Sequence, residues 1–152
     1  MLAMIKGTLI PIGGNEDKGC HDNIEVDFIT DGILSHIVRQ CGGTEAIIIV
    51  VPTASSIPVE VGDNYLKAFQ MLGCNNVSVL DIRNSDQCNN VEFLDSLKHA
   101  DGILFSGGDQ SRIIDVIGNT AFHHLLSNRF MNDDFVIAGT SAGAMSMVSE
   151  MI

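Results

Sequence analysis

The chain has 152 residues, of which 45% are hydrophobic, and a formal net charge of −11 at pH 7. This length fits one compact domain with a sizeable core, and the hydrophobic content excludes an intrinsically disordered chain. The acidic balance excludes a typical nucleic-acid binder, which needs lysine and arginine against phosphate, and no apolar run reaches the roughly 18–20 residues of a membrane span.

The amino-terminal segment lacks the pattern of a secretory signal peptide, because Lys6 follows the first apolar residues instead of preceding them. The cysteines Cys20, Cys41, Cys74 and Cys88 include no C-x-x-C pair, so their spacing indicates neither zinc nor thioredoxin chemistry. We therefore expect a cytoplasmic protein with free thiols that requires no metal and no cofactor.

In the first half of the chain, short apolar runs alternate with amphipathic stretches. Thr8–Ile12 and residues 46–51 predict two strands, each followed by a helix, and Pro58 can occupy the first turn of the second helix. The inward-facing residues of the helices recur every three or four positions: Ile29, Ile33 and Ile37 in the first, and Tyr65, Phe69 and Leu72 in the second.

The second half continues the alternation. Strands are predicted over residues 77–82, Gly102–Phe105 and residues 135–138, and helices over Val91–His99 and residues 111–127, the latter broken near Gly118-Asn119. All five strands are predicted to be buried, because both faces of each run are apolar.

Strands that alternate with helices predict βαβ units. We therefore expect an α/β fold, a doubly wound and mainly parallel sheet with helices on both faces, formed by a single domain over residues 1–152. Ligands of such sheets bind at loops beyond the carboxyl ends of the strands. Three glycine-containing segments fall at predicted strand ends, namely residues 13–17, 106–110 and 139–143.

The third segment, Gly139-Thr140-Ser141-Ala142-Gly143, matches the Gly-x-Ser-x-Gly nucleophile elbow between a strand and a helix. Small flanking residues let the neighbouring chain approach, so that the Ser141 hydroxyl stands above the sheet as a nucleophile. The N–H of Ala142, at the start of the helix, can then help to stabilise an oxyanion. The alternative is a glycine-rich turn in which Ser141 only caps the helix.

The second segment offers a further oxyanion donor, the N–H of Gly108, since glycine allows close approach of the backbone to a ligand. Asp109 and Gln110 would then face the same pocket, and Gln110 is the better ligand because an amide both donates and accepts. Alternatively, Asp109 caps a helix that begins at Ser111. Arg112 can bind a carboxylate or lie on the helix surface.

A general base must come within about 3 Å of the hydroxyl that it deprotonates. Of the histidines His21, His36, His99, His123 and His124, only His21 falls in a predicted strand-end loop. The neighbouring carboxylates of Glu16 and Asp17 suit a metal or acid–base role, or they brace the Gly13-Gly14 turn.

Four segments together resemble the cyanophycinase family, which is related to dipeptidase E and has a class I glutamine-amidotransferase-like fold. They are residues 13–18, 52–55, 105–113 and 139–144. The resemblance implies a serine exopeptidase that releases β-aspartyl-arginine dipeptides from cyanophycin, a poly-aspartate with arginine on its side chains. It also implies Ser141 as the nucleophile, Gly108 and Ala142 as oxyanion donors, and Gln110 in contact with the substrate. A peptidase that cuts after amino-terminal aspartate is the enzymatic alternative.

The same resemblance places the triad histidine and its acidic partner after the nucleophile, whereas only eleven residues follow Ser141. We therefore expect a fragment, a processed chain or an incomplete gene product that is inactive by itself. A different class of answer is a non-catalytic remnant, or one half of a two-chain protein. Exposed sheet edges would also favour a homodimer.

Overall fold

A computed structural model describes residues 4–14 and 32–147, and these residues form an α/β fold. The strands are β1 (Thr8–Ile12), β2 (Ile48–Val51), β3 (Val77–Val79), β4 (Gly102–Phe105) and β5 (Val136–Thr140). The helices are α1 (Ile33–Gln40), α2 (Pro58–Met71), α3 (Val91–His99), α4 (Gln110–Ile117), α5 (Ala121–Asn132) and α6 (Ala142–Met145), with a 3₁₀ helix at Ser85–Asn89.

The five strands form one sheet in the order β1-β5-β4-β2-β3, and every neighbouring pair is parallel. Alternate residues of a strand face opposite sides of a sheet, so a central strand must be apolar on both. In β2, Ile48 and Val50 contribute to the core beneath α1 and α2, whereas Ile49 and Val51 contribute to the core beneath α3, α4, α5 and α6. The predicted doubly wound architecture with helices on both faces is confirmed.

Two of the five strands are not buried, and for these the sequence-based prediction is wrong. β1 and β3 are the outer strands of the described sheet, and a strand with a single neighbour is only partly covered. Leu9 of β1 is 36% exposed, and the residues of β3 are half-buried or exposed. An apolar run therefore indicates a strand but does not tell a central strand from an edge strand.

Element boundaries differ from the predictions where tertiary contacts decide them. The third strand ends at Val79 instead of residue 82, yet Ile82 is fully buried because it belongs to the core beneath α3, α4, α5 and α6. The last strand continues to Thr140 and thus runs directly into the elbow. Ile29 lies outside the described residues.

The predicted helix break near Gly118 is confirmed, since α4 ends at Ile117 and α5 begins at Ala121. Asn119 adopts a positive φ of 58°, and Thr120 caps α5 by accepting a hydrogen bond from the His123 N–H. The predicted starts at Pro58 and Val91 also agree with the structure.

Candidate active site

Ser141 lies between β5 and α6 in a strained backbone conformation, with φ 50° and ψ −107°. Positive φ is uncommon for residues other than glycine and persists only where surrounding contacts hold it. The Ser141 N–H donates to the Ile12 carbonyl at 2.8 Å, and the Ser141 carbonyl accepts from the Met145 N–H at 2.9 Å. This is the strand–turn–helix geometry of a nucleophile elbow, which exposes the serine.

The glycines on either side of Ser141 are required by close packing. A Cβ added at Gly139 would collide with the backbone of Gly143, and one added at Gly143 would collide with the carbonyl oxygen of Phe105 in β4. The start of α6 therefore lies directly against the strands, because both positions lack a side chain.

The loop after β4 is held against the loop after β2. Gly108 has a φ of +143°, and a Cβ there would collide with the carbonyl of Ala54. The same carbonyl accepts a hydrogen bond from the Asp109 N–H at 2.9 Å. Two loops at the carboxyl edge of the sheet are thus fixed relative to each other through a contact that only glycine allows.

Ser141 opens into a cleft of about 260 Å³ at this edge of the sheet. The cleft is lined by Val61, Asn64 and Tyr65 of α2, by Ser106, Gly107 and Gly108 after β4, and by Thr140 and Ser141. The helices that follow β2 and β4 cover opposite faces of the sheet, and ligands bind where connections diverge in this way.

Two backbone positions are suited to stabilising an oxyanion beside Ser141. Gly108 lines the cleft itself. Ala142 is the first residue of α6, where an N–H has no acceptor within its own helix. Their use as oxyanion donors stays a prediction, and so does the role of Ser141 as the nucleophile.

The other predicted site residues lie beside the cleft but are not among the described residues that line it. The carboxylate of Asp109 accepts from the Ser111 N–H at 2.9 Å and so caps α4, which begins at Gln110. Arg112 donates from Nη1 to the Ser55 carbonyl at 3.0 Å and thus braces the loop after β2. Gln110 is half-buried. Substrate contacts of these three residues stay predictions.

Among the described residues, none forms a hydrogen bond with the Ser141 hydroxyl. The described histidines are engaged elsewhere or lie on other elements: Nδ1 of His99 lies 2.9 Å from the Asp95 carbonyl, and His123 accepts from the Asn119 N–H at 3.0 Å. His36 is exposed on α1. The described part of the chain therefore presents a serine in an elbow without a base beside it.

The remaining candidates for a base or a metal ligand do not fall within the described residues 4–14 and 32–147. His21, Glu16 and Asp17 lie outside these ranges. No three His, Cys, Asp or Glu side chains within them are grouped to hold a metal ion, and no helix there is both long and apolar enough to cross a membrane.

The described cysteines do not compete with Ser141 as nucleophiles. Cys41, Cys74 and Cys88 are free and buried. Burial raises the pKa of the Cys41 thiol to about 12, with Asp101 and Cys74 as smaller contributors, and it also raises the pKa of the other two thiols. Buried protonated thiols are poor nucleophiles, since the thiolate is the reactive form.

Sequence reasoning missed the residues that α2 contributes to the cleft. Val61 and Asn64 belong to no motif, and Tyr65 was recognised only as an inward-facing helix residue. Ser106 and Thr140 adjoin the glycine motifs and could have been proposed from that position alone.

Comparisons with known proteins point to a family of peptidases. The sequence pattern of Peptidase family S51 matches residues 29–152. The cyanophycinase of Trichormus variabilis is 33% identical over 147 residues, which are 97% of this chain and 46% of that protein. The cyanophycinase of Geminocystis herdmanii is 31% identical over 152 residues, which are 100% of this chain and 53% of that protein.

A likeness to a solved structure supports the fold. The crystal structure of a peptidase from an acI-B1 actinobacterium superposes with a TM-score of 0.73 at 22% identity, covering 94% of this chain and 57% of the other. The chain thus spans about half the length of the curated relatives that it matches. Because the family pattern matches most of the sequence, the chain belongs to Peptidase family S51.

Proposed function

We propose that this chain carries the nucleophile of a serine exopeptidase that cleaves aspartyl peptides, and that Ser141 is that nucleophile. The observation that carries the proposal is the strained conformation of Ser141 at the mouth of a cleft shared with Gly108. A peptide substrate fits a cleft with exposed backbone groups and few charges, and membership of a peptidase family supports the same class of substrate.

In the proposed reaction, Ser141 Oγ attacks the scissile carbonyl carbon and gives its proton to a base. The N–H groups of Gly108 and Ala142 stabilise the negative oxygen of the tetrahedral intermediate. The C–N bond then breaks as the amine takes a proton, and water hydrolyses the acyl-enzyme to regenerate Ser141. The base comes from outside residues 4–14 and 32–147, because no described histidine lies beside Ser141.

The preferred substrate is cyanophycin, with release of β-aspartyl-arginine, because the curated relatives at 31–33% identity are cyanophycinases. An aspartyl dipeptide is the second candidate, because the cyanophycinase family that the sequence motifs resemble is related to dipeptidase E. The free thiols Cys41, Cys74 and Cys88 fit a reducing compartment and support a cytoplasmic protein.

Both proposals are tested by hydrolysis assays on the complete polypeptide that contains this chain, with cyanophycin and aspartyl dipeptides as substrates. We expect Ser141→Ala to abolish turnover while the exposed serine control Ser78→Ala keeps it. An unchanged rate in Ser141→Ala would overturn the nucleophile assignment. Cleavage of dipeptides alone would exclude cyanophycin, and rapid hydrolysis by the purified 152-residue chain would show that a base lies within it.

A further inference from the structure

Helix α2 supplies a rigid part of the cleft that no motif indicates. Gly62 packs so closely under β3 that an added Cβ would lie 2.9 Å from Cγ1 of Val79. Tyr65 and Phe69, on the same side of the helix, are 1% and 0% exposed. The backbone of α2 is therefore held in a fixed position against the sheet.

Among the α2 residues that line the cleft, Asn64 has a polar side chain whose donors and acceptor are not used by the described residues. It is half-buried, and its carboxamide forms no hydrogen bond with any described residue. A partly buried amide gains from a partner, and a carboxamide can both donate and accept. The free amide is thus available to a ligand in the cleft.

Asn64 also lies at the junction between the cleft and a second cavity. This neighbouring groove, of about 470 Å³, runs along the first turns of α2. It is lined by Ile57, Pro58, Val59, Glu60, Asp63, Asn64 and Lys67. Because the cleft and the groove share Asn64, a peptide whose carbonyl lies at Ser141 can reach the groove by passing Asn64.

We propose that the Asn64 amide N–H donates to a main-chain carbonyl of the substrate next to the scissile bond, and that the groove along the start of α2 is the adjoining subsite. This inference rests on the proposed peptidase function and deepens it. The loops after β4 and β5 hold the reacting carbonyl, while Asn64 orients the residue that follows along α2.

Binding measurements test the proposal without requiring turnover. In the Ser141→Ala background, isothermal titration calorimetry compares a dimer of the cyanophycin repeat unit, an α-aspartyl dipeptide and aspartic acid amide, which is too short to reach past Asn64. The variants are Asn64→Leu, of similar size without hydrogen bonds, and Asn64→Asp, which loses the donors. Gln70→Leu on the exposed side of the same helix is the matched control.

We expect Asn64→Leu to weaken binding of either peptide about three- to tenfold, the loss of one hydrogen bond, and Asn64→Asp to weaken it at least as much. Gln70→Leu should change nothing, and the affinity for aspartic acid amide should stay the same in all variants. Equal peptide affinity in the Asn64 variants and their parent overturns this inference and leaves the role of Ser141 standing. If neither the cyanophycin dimer nor the α-aspartyl dipeptide binds to the parent, the proposal that the cleft at Ser141 binds peptides is overturned.

Discussion

Replacing Gly108 by alanine perturbs the loop after β4 in two separable ways. The residue has a φ of +143°, which disfavours any side chain, and the new Cβ would collide with the Ala54 carbonyl. That carbonyl also holds the Asp109 N–H, so relief of the collision moves the loop that lines the cleft. The chain offers a control for each contribution.

Gly42 isolates the backbone strain, because its φ is +110° and an added Cβ meets no described atom within 4 Å. Gly143 isolates the collision, because its Cβ would strike the Phe105 carbonyl without a positive φ. We expect Gly42→Ala to lower the free energy of unfolding by about 1–2 kcal/mol and Gly143→Ala by about 1–3 kcal/mol. Gly108→Ala combines both effects, so we expect it to lower the free energy of unfolding by about 2–5 kcal/mol.

Urea denaturation followed by circular dichroism measures these differences, provided that the slope of the transition stays constant across the three variants. Thermal midpoints should fall by roughly 2–4 °C for each kcal/mol lost. If Gly108→Ala lowers the free energy of unfolding no more than Gly42→Ala does, the close contact between the two loops does not stabilise the protein. The explanation of Gly108 by packing against Ala54 would then be refuted.

Three further outcomes are expected. Asp109→Ala should lower the free energy of unfolding by about 1 kcal/mol because it removes the α4 cap, whereas Asp109→Asn should keep the cap. If a fully stable Asp109→Asn variant no longer binds a dipeptide, Asp109 contacts the substrate instead. The pKa of Cys41 is raised to about 12 on folding, so its contribution to stability is complete below about pH 9 and is lost as the pH rises toward 12. The thermal midpoint of wild type should therefore fall more steeply than that of Cys41→Ala above pH 9, and parallel curves would contradict this attribution. β1 leaves one edge unpaired in the described sheet, and Leu9 of this strand is 36% exposed. We expect the protein to self-associate in sedimentation velocity experiments and Leu9→Lys to reduce this association. A wild type that is monomeric at every concentration would exclude an interface at β1.

The order and type of the main elements could be predicted from local patterns. The run Gly102–Phe105 and the stretch Val91–His99 have the same bounds in the structure as in the sequence-based prediction. The 3₁₀ helix Ser85–Asn89 was missed because its capping box, in which Asn84 and Gln87 bond each other's backbone, lies in a polar segment without hydrophobic periodicity. Burial of β1 was also mispredicted, since exposure at a sheet edge depends on strand order and not on the strand's own residues.

At Ser141, the sequence by itself determined the elbow, because the motif supplies glycine at positions 139 and 143, where a side chain would collide with the neighbouring backbone. Only the tertiary structure decided what surrounds it. Asn64 lies in the same cleft because two connections diverge to opposite faces of the sheet, and residues 77 positions apart meet there. Local patterns encode local backbone geometry, whereas the walls of a cleft depend on which strands become neighbours.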